Sequence, residues 1–123
     1  MREIKGSCQC GDIKLIASGS PKRVGVCPCM DCRKHHGAVV FAAAVFPVGA
    51  VEITGKAHAY QGRHFCPCCG SSVYAISDNE IEVHLGILDE PNQFTPTYEL
   101  WTKRREDWLP DFEDMEQFDQ NRK

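Results

Sequence analysis

The sequence predicts a mainly β fold, built from several small sheets. Three observations support this class. Short strand-like segments alternate with turn residues, helix signals are weak, and eight cysteines among 123 residues occur in groups with metal-ligand spacing. Because strands this short enclose a thin core, a bound metal would contribute needed stability.

The predicted strands are rich in apolar and β-branched residues, and each is bounded by turn formers. The first follows the Gly11-Asp12 turn, and the pair around Asp78-Asn79 predicts a hairpin. The strand candidates are residues 13–17, 39–46, 51–54, 58–61, 72–76, 81–85 and 97–101. Helix is expected only as one turn at 30–36 and as a short helix at 111–118 in the C-terminal tail.

The chain length accommodates one domain, residues 1–123, with an acidic tail over 106–123. The tail carries seven of the 17 acidic residues and two of the 14 basic ones, which makes it the source of the net charge of -3. A tail of this kind repels phosphate backbones. We therefore expect no nucleic-acid partner, and we expect the tail to be largely solvated.

The N-terminus has no apolar run that could act as a secretory signal, and no apolar stretch approaches the roughly 20 residues of a membrane span. We therefore expect a cytoplasmic protein with no membrane partner. Thiols in that compartment stay reduced, so grouped cysteines indicate metal ligands or a redox site. A secreted disulfide scaffold is the alternative, because the mature form of a cleaved precursor would also lack a signal.

The outer cysteines predict a closed metal site. Cys66 and Cys69 form a C-x-x-C turn followed by Gly70, which places both sulfurs on one side but supplies only half of a tetrahedral zinc site. Cys8 and Cys10 are the separate pair that can complete it. We assign a structural zinc to these four cysteines, which would connect the first strand to the middle of the chain.

The central cysteines predict a different kind of site. Cys27, Cys29 and Cys32 place three sulfurs on one six-residue stretch, which can cover one face of a metal and leave the fourth position open. An open position distinguishes catalytic from structural zinc. His35 or His36 could fill that position and make the site structural. A redox C-x-x-C is a further alternative, although no βαβ pattern surrounds it.

These motifs together resemble the glutathione-dependent formaldehyde-activating (GFA) family, whose domain is shared with centromere protein V. The resemblance covers roughly residues 5–110. It is carried by Ser7-Cys8-Gln9-Cys10-Gly11, Cys27-x-Cys29-x-x-Cys32-Arg33-Lys34, Gly37-Ala38, Phe46-Pro47, Thr54-Gly55, Phe65-Cys66-x-x-Cys69-Gly70-Ser71, Leu85-Gly86-Ile87-Leu88-Asp89 and Trp101-Thr102. Pro28 departs from the histidine or aromatic residue often found there, which affects the expected pocket shape.

The resemblance implies a β-tent fold, in which several small antiparallel sheets lie around zinc, and two zinc ions per chain. One is structural, on Cys8, Cys10, Cys66 and Cys69, and the other is catalytic, on the three central cysteines. It also implies a carbon–sulfur lyase that forms or cleaves a thiol–aldehyde adduct such as S-hydroxymethylglutathione. The implied partners are a small thiol such as glutathione and an aldehyde.

The central site suits thiol chemistry, because a coordinating thiol loses its proton. Three thiolates already donate charge to the metal, so it should be a poor Lewis acid for water. The oxygen of the developing adduct needs a hydrogen-bond donor. Arg33 is the best candidate among the basic residues that directly follow Cys32, and we name it with the three central cysteines as catalytic.

The sequence also allows a second function and contains one cysteine outside both predicted sites. A non-catalytic interaction module with two structural zinc ions is the alternative function, and the fourth ligand of the central site would decide between them. Cys68 is an additional thiol within the Cys66–Cys69 turn. It could compete for zinc or become oxidised, and otherwise it has no part in either site.

Overall fold

The computed structural model describes residues 2–122, and it confirms the mainly β prediction. Eleven strands and one α-helix form in this range, together with three short 3₁₀ turns at Val48–Ala50, Leu85–Ile87 and Thr102–Arg104. The elements are β1 (Glu3–Ser7), β2 (Lys14–Ser18), β3 (Arg23–Cys27), α1 (Met30–His36), β4 (Phe41–Pro47), β5 (Val51–Thr54), β6 (His58–Tyr60), β7 (Arg63–Phe65), β8 (Ser72–Ser77), β9 (Glu80–His84), β10 (Tyr98–Glu99) and β11 (Glu116–Gln117).

The described strands form two sheets. A three-stranded antiparallel sheet has the order β1-β2-β5, and an eight-stranded sheet has the order β11-β10-β3-β4-β9-β8-β7-β6. The larger sheet is antiparallel except at β10, which pairs in parallel with both β3 and β11. This mixed edge is a difference from the expectation of purely antiparallel sheets.

The core lies between the two sheets. The smaller sheet contributes Ile4, Leu15 and Ala17, while the larger one contributes residues such as Phe46 and Ile81, all at most 1% exposed. Side chains alternate across a strand, so residues next to these core positions point to the opposite face of the larger sheet. That outer face carries polar residues, and several of them line the cavity at the candidate site.

The strands β1, β3 and β7 were absent from the sequence-based prediction. In β1 and β3, Gly6 and Gly25 weaken the strand signal, and β7 is only three residues long. Gly25 has a packing reason to be glycine, because a Cβ atom there would lie 2.3 Å from the ring of Tyr98. The ring of Tyr98 on β10 therefore packs directly on the backbone of β3.

The short helix predicted at 111–118 is wrong. Glu116–Gln117 instead pairs with Tyr98–Glu99, and the backbone N–H groups of Glu116 and Phe118 donate to Thr97 and Glu99 at 3.0 and 2.9 Å. A helix of that length is marginal without tertiary support. The buried Glu99 carboxylate favours the extended tail, because it accepts hydrogen bonds from Arg105 and Gln117.

No helix within residues 2–122 combines the length and the apolar character that crossing a bilayer requires.

Gly25→Ala should destabilise the fold by about 1–3 kcal/mol, because the new methyl group overlaps the Tyr98 ring and forces β10 away from β3. Thermal unfolding followed by circular dichroism measures this effect. Gly49→Ala is the matched control, since no atom beyond its chain neighbours lies within 4 Å of its Cβ position. Equal melting temperatures for the two variants would contradict this packing.

Candidate metal centres and the cavity beside Cys32

The first cysteine cluster joins the two sheets at one end of the core. Cys8 and Cys10 follow β1, and Cys66 and Cys69 follow β7. The four sulfurs all lie within 4.8 Å of one another, with Cys8 to Cys10 at 3.6 Å and Cys10 to Cys66 at 3.7 Å. Zn–S bonds of about 2.3 Å in a tetrahedron place sulfurs roughly 3.8 Å apart, so this donor set and its spacing fit zinc.

Two tight turns hold these sulfurs in position. Gly11 and Gly70 have φ angles of +87° and +80°, which glycine adopts without strain. The N–H of each donates back to the carbonyl of the first cysteine of its turn, at 3.1 and 2.8 Å. Ser71 links the two turns, because its hydroxyl accepts from the Gln9 N–H at 3.0 Å and lies 3.2 Å from the Cys69 sulfur.

The hydrogen bond with Ser71 also affects ionisation. The hydroxyl and the backbone N–H of Ser71 both hydrogen-bond to the Cys69 sulfur, and they lower the pKa of Cys69 to about 5. Cys69 is therefore a thiolate at neutral pH, and thiolate is the form that binds zinc. Cys8 and Cys66 are only 2% and 0% exposed and belong to the core cluster. A metal at this position would contribute directly to the packing of the core.

The second cluster lies where β3 leads into α1. Cys27 ends the strand, Cys29 caps the helix, and Cys32 lies in its first turn. The Cys32 N–H donates to the Cys29 sulfur at 3.3 Å, and the sulfurs of Cys27 and Cys32 are 3.7 Å apart. Within residues 2–122, no fourth cysteine, histidine or carboxylate joins these three sulfurs. The donor set fits zinc with one position free of protein ligands.

Cys27 is the acidic thiol of this cluster. The hydrogen bond from the Cys32 thiol lowers the pKa of Cys27 to about 7. The same hydrogen bond raises the pKa of Cys32, and the burial of Cys32 raises it further. One negative charge therefore forms readily at this cluster and attracts a cation. The proton remaining on Cys32 would be released on metal binding.

A cavity of about 240 Å³ opens beside Cys32 on the outer face of the larger sheet. Its lining includes His36 from α1 and His84 from β9. Burial is the main cause that lowers the pKa of His36 to about 4 and the pKa of His84 to about 3. The charges of His35 and Arg63 lower the pKa of His36 further, and the charge of His36 is the next cause for His84. Both imidazoles are therefore neutral at pH 7 and can each accept one proton and donate another.

His36 is held in place by its neighbours. It lies one helical turn after Cys32, stacks on Phe41 with ring centroids 4.2 Å apart, and meets His84 edge-on at 4.5 Å. His84 Nδ1 lies 3.1 Å from the Ser72 hydroxyl. Neither His35 nor His36 joins the three sulfurs as a metal ligand, although both were considered as such from the sequence.

The structure places Arg33 away from the cavity. Its guanidinium donates to Glu106 in the C-terminal segment and to the Arg104 carbonyl at 3.0 Å. A guanidinium held in this way has fewer donors free for substrate, and it lines a separate surface depression with Met30 and Lys34. The Arg33 guanidinium therefore faces the C-terminal segment, and its role as a donor to substrate stays a prediction.

Sequence reasoning missed Arg63, Glu82 and His84 as lining residues of the cavity. The alternation of Ile81 and Val83 with Glu82 and His84 indicates that the polar pair faces away from the core. The alternation does not indicate which strands lie beside β9.

Cys68 is exposed and belongs to neither site, although its sulfur lies near Cys10 and Asp12.

The family model for the glutathione-dependent formaldehyde-activating enzyme matches residues 3–104. The chain belongs to this family. A crystal structure of a Rhodobacter sphaeroides protein has a similar fold to this GFA protein, with a TM-score of 0.57 and 22% sequence identity. The match covers 72% of this chain and 91% of the Rhodobacter protein. A comparison with curated proteins gives no match.

Removing one sulfur from each cluster of this GFA protein should have different consequences. Cys69→Ala should unfold the chain, because its site joins the two sheets. Cys29→Ala should lose one zinc ion and remain folded, because its site lies on one continuous segment. Native mass spectrometry counts the metal, and circular dichroism follows the fold. Equal unfolding of both variants would contradict the division into a structural and a catalytic site.

Proposed function

We propose that this GFA protein is a zinc-dependent carbon–sulfur lyase that joins a thiol to an aldehyde and catalyses the reverse cleavage. The observation that carries the proposal is the three-cysteine cluster with no fourth protein ligand among the described residues, beside a cavity with two neutral histidines. The family description names glutathione and formaldehyde, and we propose them as the substrate pair.

We assign the structural zinc to Cys8, Cys10, Cys66 and Cys69, and the catalytic zinc to Cys27, Cys29 and Cys32. Zinc on the second set would lower the pKa of a thiol that coordinates it, so that the thiolate forms at neutral pH. The three protein sulfurs hold that charge at one end of the cavity. The cavity walls then determine which aldehyde carbon can approach the sulfur.

The reaction balances without a further co-reactant. A bond forms between the thiol sulfur and the aldehyde carbon, and the electron pair of the C=O π bond moves to the oxygen. The thiol proton ends on that oxygen, which gives the hydroxymethyl thioether. The reverse reaction breaks the same carbon–sulfur bond.

His36 is the residue best placed to transfer the proton. Its imidazole is neutral, lines the cavity, and follows Cys32 by one helical turn. A neutral imidazole can accept the thiol proton at one nitrogen and donate to the developing hydroxyl. Contact with Phe41 and His84 limits rotation of the ring, which keeps this geometry in place.

The proposed reaction can be measured by exchange NMR with ¹³C-formaldehyde and glutathione, which separates the enzymatic rate from the spontaneous one. The zinc-loaded protein should accelerate the exchange between free aldehyde and adduct. Cys29→Ser should abolish this acceleration, because it removes one of the sulfurs of the open site. Cys68→Ser is the matched control and should retain it, since Cys68 is exposed and outside the cavity.

His36→Gln should lower the catalysed rate about a hundredfold, the lower range for a general acid–base group. Lys34→Gln, on the exposed side of the same helix, should retain the rate. No acceleration by the wild-type protein, with no change in the spectrum of the cobalt-substituted protein on addition of any thiol, would instead favour a non-catalytic zinc module.

A further inference from the structure

The cavity beside Cys32 contains two opposite charges that form no ion pair with any described residue. Arg63 from β7 and Glu82 from β9 both line it. Three other partly buried arginines each hold a carboxylate: Arg23 pairs with Glu80, Arg33 with Glu106, and Arg105 with Glu99. Within residues 2–122, Arg63 and Glu82 make no such pair with each other or with another side chain.

The sheet register places the two charges on one face. Glu82 lies opposite Ala75 on β8, and Ala75 lies opposite Arg63 on β7. Directly opposed residues project to the same side, so Arg63 and Glu82 flank the small side chain of Ala75. The two α-carbons are two strand spacings apart, roughly 10 Å. This leaves a gap between the charged groups, with a methyl group at its floor.

The environment of Glu82 compensates its charge only in part. Burial raises the pKa of Glu82, and the positive charges of Arg23 and Arg63 oppose this effect only in part. Arg23 is already committed to Glu80, which it contacts with two nitrogens. A cation placed in the gap would supply the missing compensation.

Charge balance selects the ligand class. A simple anion on Arg63 would be repelled by Glu82, and a simple cation on Glu82 would be repelled by Arg63. A neutral ligand would leave both groups unpaired in a partly desolvated cavity, which is unfavourable. An α-amino acid head group has an ammonium and a carboxylate on one carbon and satisfies both. The guanidinium fork also suits a carboxylate.

We infer that Arg63 and Glu82 form a subsite for the α-amino acid head group of the thiol substrate, with its carboxylate on Arg63 and its ammonium on Glu82. The inference rests on the proposed function only in taking the ligand to be a thiol. At about 240 Å³ the cavity is smaller than those of drug-sized ligands, roughly 300–1,000 Å³. It therefore holds a head group rather than a large substrate in full.

Two thiols carry this head group at different distances from sulfur. In cysteine the head group is adjacent to the thiol-bearing carbon, and in glutathione it is the γ-glutamyl end. The subsite is the same for both, and the relative affinity of their analogues distinguishes them.

The subsite can be tested without thiol chemistry by using S-methylated ligands with the zinc-loaded protein. S-methyl-L-cysteine and S-methylglutathione should shift the backbone amide NMR signals of Arg63 and Glu82. The N-acetyl derivative of S-methyl-L-cysteine lacks the ammonium, and 2-(methylthio)ethylamine lacks the carboxylate. Each should bind at least tenfold more weakly than S-methyl-L-cysteine. Equal affinities across the series, or no binding by either parent ligand, would overturn the inference.

Two variants assign the charges to residues. Arg63→Gln should remove the preference for the carboxylate, and Glu82→Gln should remove the preference for the ammonium. Arg104→Gln and Glu52→Gln are matched controls on exposed residues outside the cavity, and they should keep both preferences. Retention of wild-type preferences by the first two variants would contradict the assignment. If either fails to fold, the ligand series on the wild-type protein still decides.

The test of head-group binding can be separated from the test of the lyase activity. S-methylated ligands have no thiol proton and cannot form the adduct, so their binding tests the subsite alone. Head-group binding without catalysed exchange would contradict only the lyase proposal. Catalysed exchange that is equal for 2-mercaptoethanol and glutathione, without head-group binding, would contradict only the subsite.

Discussion

The convergence of four sulfurs at one end of the core is the constraint on which much of the structure depends. The two sheets of this chain are made of short strands, and the turn after β1 meets the turn after β7 at this point. Cys8 and Cys66 are buried with the core residues, so the cluster is part of the packing rather than an attachment to it. In a small domain, metal binding of this kind becomes folding free energy.

The C-terminal segment contributes more to the site than an acidic, solvated tail would. Glu99 is fully buried and is held by Arg105, which brings the following residues back against the larger sheet. From there Glu106 reaches Arg33, directly after Cys32 on α1. The acidic residues of this segment thus divide between solvent and specific contacts, and one of them helps to orient the helix that carries the central cysteine cluster.

Much of the fold and the grouping of the cysteines into two clusters could be predicted from the sequence because the relevant signals are local. Cysteine spacing is local, and it separated the four outer sulfurs from the three central ones. The short helix at 30–36 followed from the same stretch. The error at 111–118 arose because a buried carboxylate at Glu99, far away in the chain, determines the conformation there. Arg63 and Glu82 were missed for a related reason, since their proximity depends on the register of three strands.

The alternation of side chains in β8 and β9 separates two kinds of evolutionary change. Residues on one face, such as Val83, maintain the packing between the sheets, while their immediate neighbours on the other face line the cavity. A substitution at Glu82 or Ala75 can therefore alter the shape and charge of the cavity while the core side of the same strand stays as it is. A lineage with this architecture can diversify its chemistry at single positions without first acquiring compensating changes in stability.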